Sequence, residues 1–132
     1  MSNETGLPQA MHPIYALAEA KINEIESELK KLGRWSAESA PAGALEKKAA
    51  FGEGVMSFEQ WIQWVLIPRV RGIVAEHGEI PIGSMVGVYA MRVIGADPEA
   101  GDLDRLLREF DKLFNEYKPD LDWGEYLRKI YS

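Results

Sequence analysis

The side chains that could perform chemistry are few and scattered. The chain has no cysteine, which excludes disulfides and thiolate metal sites. Its two histidines, His12 and His77, lie far apart, each beside a predicted break, and no His-x-x-x-His spacing offers a zinc pair. Residues 120–125 carry the carboxylates of a calcium loop in outline. Their glycine, however, comes one position early, and Tyr131 stands where a closing Glu would ligate. Gly52-Glu53-Gly54 precedes a helix start as a phosphate cradle does, but no strand leads into it, Lys is missing and Glu53 would repel phosphate. There is no G-x-S-x-G elbow for a serine nucleophile. Asp104, Glu109 and Asp111 sit at helical spacing among basic residues and read as a solvated face, ion-paired to Arg108 and Lys112. No catalytic residue, metal or cofactor is expected. Arg69, Arg71 and Arg92 are the candidates for contact with RNA or another anion.

The elements that position these residues follow from hydrophobic spacing. A chain of 132 residues fits one domain and can bury roughly two-thirds of its unfolded surface. No apolar run approaches the roughly 20 residues that span a bilayer. Met1-Ser2-Asn3-Glu4 lacks the basic-then-apolar order of a secretory signal, so a cytoplasmic location is expected, with no membrane partner. A net charge of −6 argues against a dedicated nucleic-acid binder, whose affinity rests on a basic face.

Polar and turn-forming types predict a flexible arm over 1–12. Pro13 then opens a first helix, marked by Ala18, Ile22, Ile25, Leu29 and Leu32 on one stripe and closed by Gly33. Residues 34–55 break the pattern, and a connection this long is expected to pack down through Trp35 and Phe51. The second helix starts at Ser57, whose pairing with Gln60 makes a capping box, with Met56 and Trp61 as a hydrophobic staple. It is predicted to run to about His77, with Gly78 ending it. Ser84 can cap a third helix, Met85 to Ile94, although Val86, Val88, Val93 and Ile94 would also suit a strand. Leu103, Leu106, Leu107, Phe110, Leu113, Phe114 and Tyr117 mark a fourth, stopped by Pro119. The expected fold is an all-α, single-domain bundle of about four helices over 13–118, with a kinked central helix and a long first loop. Residues 119–132 form a C-terminal extension that can make one short helix through Trp123, Leu127 and Ile130.

Placing the second helix at 100° per residue separates two faces. Phe58, Trp61, Ile62, Val65 and Ile73 form the core face. Trp64 and Ile67 fall nearly opposite, beside Gln60, Gln63 and Arg71, as a second apolar patch that is either covered by the loop or third helix or left for a partner. Pro68 lies deep in this helix, crowding the Trp64 carbonyl at a cost of about 3 kcal/mol unless the helix kinks. Arg69 falls by the same geometry in the middle of the core face, where it would need a carboxylate or backbone carbonyls.

Residues 56–70, with Trp61-x-x-Trp64 and Pro68-Arg69, resemble the signature of the YqcC-like family of small bacterial helical proteins. The similarity continues through Trp35, Phe51, Ile80-Pro81, Tyr89-Ala90 and the run from Leu106 to Phe114, and covers roughly residues 14–117. Gly54-Val55 and Gly87-Val88 depart from the Asp-Thr and Ala-Pro usual in that family. The resemblance implies a compact helical bundle associated, largely by gene neighbourhood, with tRNA pseudouridine synthase C, and in one description its catalytic domain. Enzymes of that class use a nucleophilic Asp on a larger sheet-based fold with a basic RNA cleft, and this chain offers neither the sheet nor the charge. The expected role is a non-catalytic accessory or protein-interaction domain docking through Gln60, Gln63, Trp64, Ile67 and Arg71. The alternative is a component that contacts tRNA through Arg69, Arg71 and Arg92.

Overall fold

In the computed structural model, which describes residues 12–46, 49–81, 83–120 and 122–131, the regular elements are all helical. The arm expected over residues 1–12 lies, apart from His12, outside this range. Five helices form: α1 (Pro13–Lys31), α2 (58–76), α3 (Val86–Ile94), α4 (Gly101–Asn115) and α5 (Trp123–Tyr131). Helix α4 packs against both α1 and α3, and α1 also packs against the second half of α2. Between them the apolar stripes of α1 and α4 close the core, with Ile22, Ile25, Leu29, Leu103 and Leu107 inaccessible to solvent.

The ends of α1 follow from its sequence. Pro13 occupies the first turn, and the Nδ1 of His12 accepts the Ile14 N–H at 3.0 Å as the N-cap. At the other end Gly33 adopts φ 72°, and the N–H groups of Gly33 and Arg34 reach back to the carbonyls of Lys30 and Leu29, a Schellman closure.

Helix α2 is three consecutive segments: Phe58–Trp61, a π-helical turn at Ile62–Leu66, and Ile67–Glu76. Its capping box forms as expected, with Ser57 and Gln60 bonding reciprocally at 2.9 and 3.0 Å. The π-turn answers the Pro68 problem. The Ile67 N–H bonds the Ile62 carbonyl five residues back, so the ladder widens just before the ring that has no N–H to give. One extra residue in that turn retards the downstream phase by about 100°. Leu66 and Val70 therefore point inward, and Arg69, expected in the core face, is exposed. The helix ends with His77, not Gly78, in the left-handed conformation at φ 50°. His77 rests edge-on against Tyr15, whose hydroxyl donates to the Gly78 carbonyl at 2.7 Å.

Helix α3 forms at the expected place but with a different cap. Ser84 does not cap it alone. The buried carboxylate of Asp111, on α4, accepts the N–H groups of Val86 at 3.1 Å and Gly87 at 2.7 Å together with the Ser84 hydroxyl. One turn on, Asn115 bonds both the N–H and the carbonyl of Ser84. Gly87 permits this approach, since a Cβ there would stand 2.8 Å from the Arg108 Cα. The solvated-face reading of the α4 acids thus fails for Asp111. Asp104 pairs with Arg108 at 3.6 Å, and Glu109 pairs with Arg105 and with Lys21 of α1 rather than with Lys112.

The C-terminal helix uses one more core residue than expected. Beside the half-buried Trp123, Leu127 and Ile130, Tyr126 is fully buried and donates to the Leu113 carbonyl at 2.6 Å. Its ring, with Tyr117 and Trp123, encloses His12 at centroid distances of 4.9 to 5.5 Å.

Candidate functional site

The second face of α2 is largely occupied from within the chain. Gln63 clamps the long loop, its Oε1 accepting the Ser36 N–H at 2.7 Å and its Nε2 donating to the Ser36 carbonyl at 2.8 Å. Gln60 is held in the capping box. Arg71 donates to Asn23 at 3.0 Å and to Glu26 at 2.6 Å on α1. Its guanidinium and the Lys30 ammonium hold the Glu26 carboxyl below its ordinary range, the Lys30 bond being the larger cause. Ile67 is 1% exposed, because the π-turn rotates it toward the core, and so belongs to no surface. Trp64 is half-buried, and its enclosed indole N–H meets no acceptor among the described residues.

The three arginines singled out as anion contacts separate in the same way. Arg71 already faces a carboxylate. Arg92 lies over the Tyr89 ring at 5.6 Å and Arg69 is open to solvent, neither with an ion-pair partner among the described residues. By contrast Arg34, Arg105, Arg108 and Arg128 each hold at least one carboxylate, Arg34 joining Glu59 and Asp97 at 3.2 and 2.6 Å.

Two features emerge that the sequence did not single out. The first is the outer face of α3. Met85, Val88, Met91 and Val93 are 48 to 58% exposed, and residues 84–96 carry one charge, Arg92. The signal was present as a helix with no polar face, which is a helix meant to be covered. The second is a cavity of about 320 Å³ between the loop and α2, lined by Ala44, Leu45, Ala49, Gly52, Met56, Trp61, Val65 and Arg69. Its wall is locked by Phe51, which takes the left-handed conformation at φ 54°, stacks on Tyr89 at 4.2 Å and meets Trp61 edge-on at 5.2 Å. Gly52 follows at φ 70°, where a Cβ would stand 2.6 Å from Met56 Cγ. The expectation that Phe51 and Trp35 pin the loop agrees with this packing, Trp35 lying under the Lys30 ammonium at 5.0 Å.

Among the described residues no group of three His, Asp or Glu side chains could hold a metal ion, and no helix is long and apolar enough to cross a membrane. A relative from Haemophilus influenzae, an uncharacterized protein, is 26% identical over 86 residues, covering 65% of this chain and 78% of that protein. No solved structure matches the chain. The model of the DUF446 family, described as tRNA pseudouridine synthase C, matches residues 17–113, which take in the capping box, the π-turn, Arg69 and the Asp111 cap. The chain belongs to the DUF446 family.

Proposed function

We propose that this protein is a non-catalytic accessory domain that docks through α3 onto the tRNA pseudouridine synthase its family is described by. The observation that carries this reading is the α3 face: four large apolar side chains open to solvent around a single arginine, on a helix with no acidic residue. Fully burying such side chains stabilises a complex by roughly 1.5–3 kcal/mol each, and methionines adapt their shape to a partner. The partner surface that fits is apolar, with a carboxylate placed to meet Arg92. Docking through Gln60, Gln63 and Arg71 would instead require breaking the bonds these residues already make within the chain.

The test is size-exclusion and calorimetric binding between this protein and the tRNA pseudouridine synthase C of the same organism. A complex is expected, and Val88→Glu with Met91→Glu should abolish it while leaving thermal melting unchanged. A complex indifferent to that double change rejects α3, and no complex at low salt rejects the pairing. The second reading, direct tRNA contact, is favoured by Arg69 and Arg92 having no carboxylate partner among the described residues. Binding of tRNA alone, weakening steeply with salt, would put that reading in its place.

A further inference from the structure

We propose that Met85 and Met91 form a reversible oxidation site that turns the outer face of α3 from apolar to polar. The chain has no cysteine, so the thioethers of its five methionines are its whole sulfur redox chemistry. Met85 and Met91 are 58 and 56% exposed. Met56 is half-buried against the core, its Cγ and Sδ filling the space beside Gly52. Met1 and Met11 lie outside the described residues. A peroxide therefore reaches the two α3 thioethers freely and Met56 poorly.

The fold does not depend on either side chain. Val86, Gly87, Ala90 and Ile94 are the buried residues of α3, which packs on α4. At about 100° per residue Met85 falls opposite them, beside Val88 and Arg92, and Met91 lies next to Val88. Met85 serves the helix through its carbonyl, which accepts the Tyr89 N–H at 3.1 Å. The two methionines stand only about 9 Å apart along the axis, so they belong to one face. With Arg92 as its single charge and no acid, that face is defined by apolar area, and two polar side chains change its character.

The oxidant is hydrogen peroxide. A thioether lone pair attacks one peroxide oxygen, the O–O bond breaks, and an S–O bond forms. Sulfur loses two electrons, and the other oxygen leaves as water. The product sulfoxide is polar and chiral, and its oxygen accepts hydrogen bonds. Methionine sulfoxide reductases reverse the step, one enzyme for each epimer: two thiols become a disulfide and the oxygen departs as water. Leucine at both positions would offer similar apolar area and no such chemistry. The consequence for docking rests on the reading of α3 as the docking surface: each sulfoxide would enter an apolar contact that has no donor for it.

The experiment follows the full chain through hydrogen peroxide treatment by peptide mass spectrometry and by retention on a phenyl column. Sulfoxide is expected at Met85 and Met91 well before Met56. The oxidised chain should elute earlier, melt at the same temperature, and regain its retention when the two reductases and a dithiol are added. Met85→Leu with Met91→Leu should hold its retention through the same treatment. Met56 oxidised as early as the α3 pair, retention unchanged once both are sulfoxides, an equal loss in the leucine variant, or no recovery with the reductases would each overturn the assignment. Against the synthase, oxidation should weaken docking about a hundredfold, roughly tenfold for each sulfoxide, and spare the leucine variant. An unoxidised chain that forms no complex rejects the docking reading alone, because phenyl retention decides the oxidation site on the free chain.

Discussion

Asp111 should be the most costly single carboxylate to remove from this protein. It is 8% exposed and accepts from two backbone N–H groups and a hydroxyl at the start of α3. Asp111→Ala leaves the Val86 and Gly87 donors enclosed without acceptors. Each such orphan costs about 1–3 kcal/mol, and bonds to a charged acceptor are at the upper end. Allowing for partial hydration of the gap, the sum is about 4 kcal/mol, against a whole-domain stability of roughly 5–15 kcal/mol. At ~2.1 cal/mol/K per residue over 132 residues, the unfolding entropy is ~0.28 kcal/mol/K, so the melting temperature should fall by ~14 °C. Asp111→Asn keeps one acceptor oxygen but loses the charge, and about half the effect is expected. The assay is urea unfolding followed by far-UV circular dichroism, with an unchanged m-value as the condition for comparing midpoints. Asp102→Ala, an exposed acid on the same helix, serves as the control and should stay within about 0.5 kcal/mol. A loss below about 1 kcal/mol for Asp111→Ala, or one equal to that of the control, would refute the capping argument and restore the solvated face.

Two further outcomes follow from the local geometry. Pro68→Ala should lower stability by under about 1 kcal/mol, through added freedom of the unfolded chain, because the π-turn has already relieved the proline. A gain near 3 kcal/mol in urea unfolding would mean instead that the ring strains a helix that wants to be regular. Burial holds the His12 imidazole below its ordinary value of 6.5, so the folded state binds it neutral. Its contribution is therefore complete above pH 6.5 and is lost as pH falls below that value, where the unfolded chain takes up the proton first. Urea midpoints on either side of pH 6.5 should show this slope in the native protein, and His12→Asn, which retains an acceptor at the cap, should flatten it. An identical slope in both proteins would assign the effect to other groups.

The parts of the fold legible in the sequence are those governed by one uninterrupted period. Ala18 to Leu29 and Leu103 to Phe114 each keep a single stripe from cap to cap, and both stripes are buried. The capping box at Ser57 was legible because both partners lie within four residues. Arg69 was misplaced because a 3.6-residue period was carried through Pro68, and the sequence does not say whether a proline is met by a kink, a break or an inserted residue. Asp111 looked like its neighbours on α4 because its burial depends on Gly87, 24 residues away. The loop cavity was illegible for a similar reason: Ala44 and Ala49 acquire meaning only when Phe51 folds back on Tyr89.

The π-turn also sets what chain length this fold tolerates. A deletion of one residue between 62 and 66 would leave α2 free to close as an ordinary helix, and the Pro68 ring would meet the carbonyl four places back. The remainder of the helix would keep its present phase, Val70 inward and Arg69 outward, because the residue removed is the extra one that the π-turn accommodates. A relative shorter by one residue at this point can keep the same interior and Arg69 but must have replaced Pro68, whereas one that keeps the proline must also keep the extra residue. Length and composition are coupled here, so a single alignment gap within 62–66 would separate relatives that carry the π-turn from those that close this stretch as an ordinary helix.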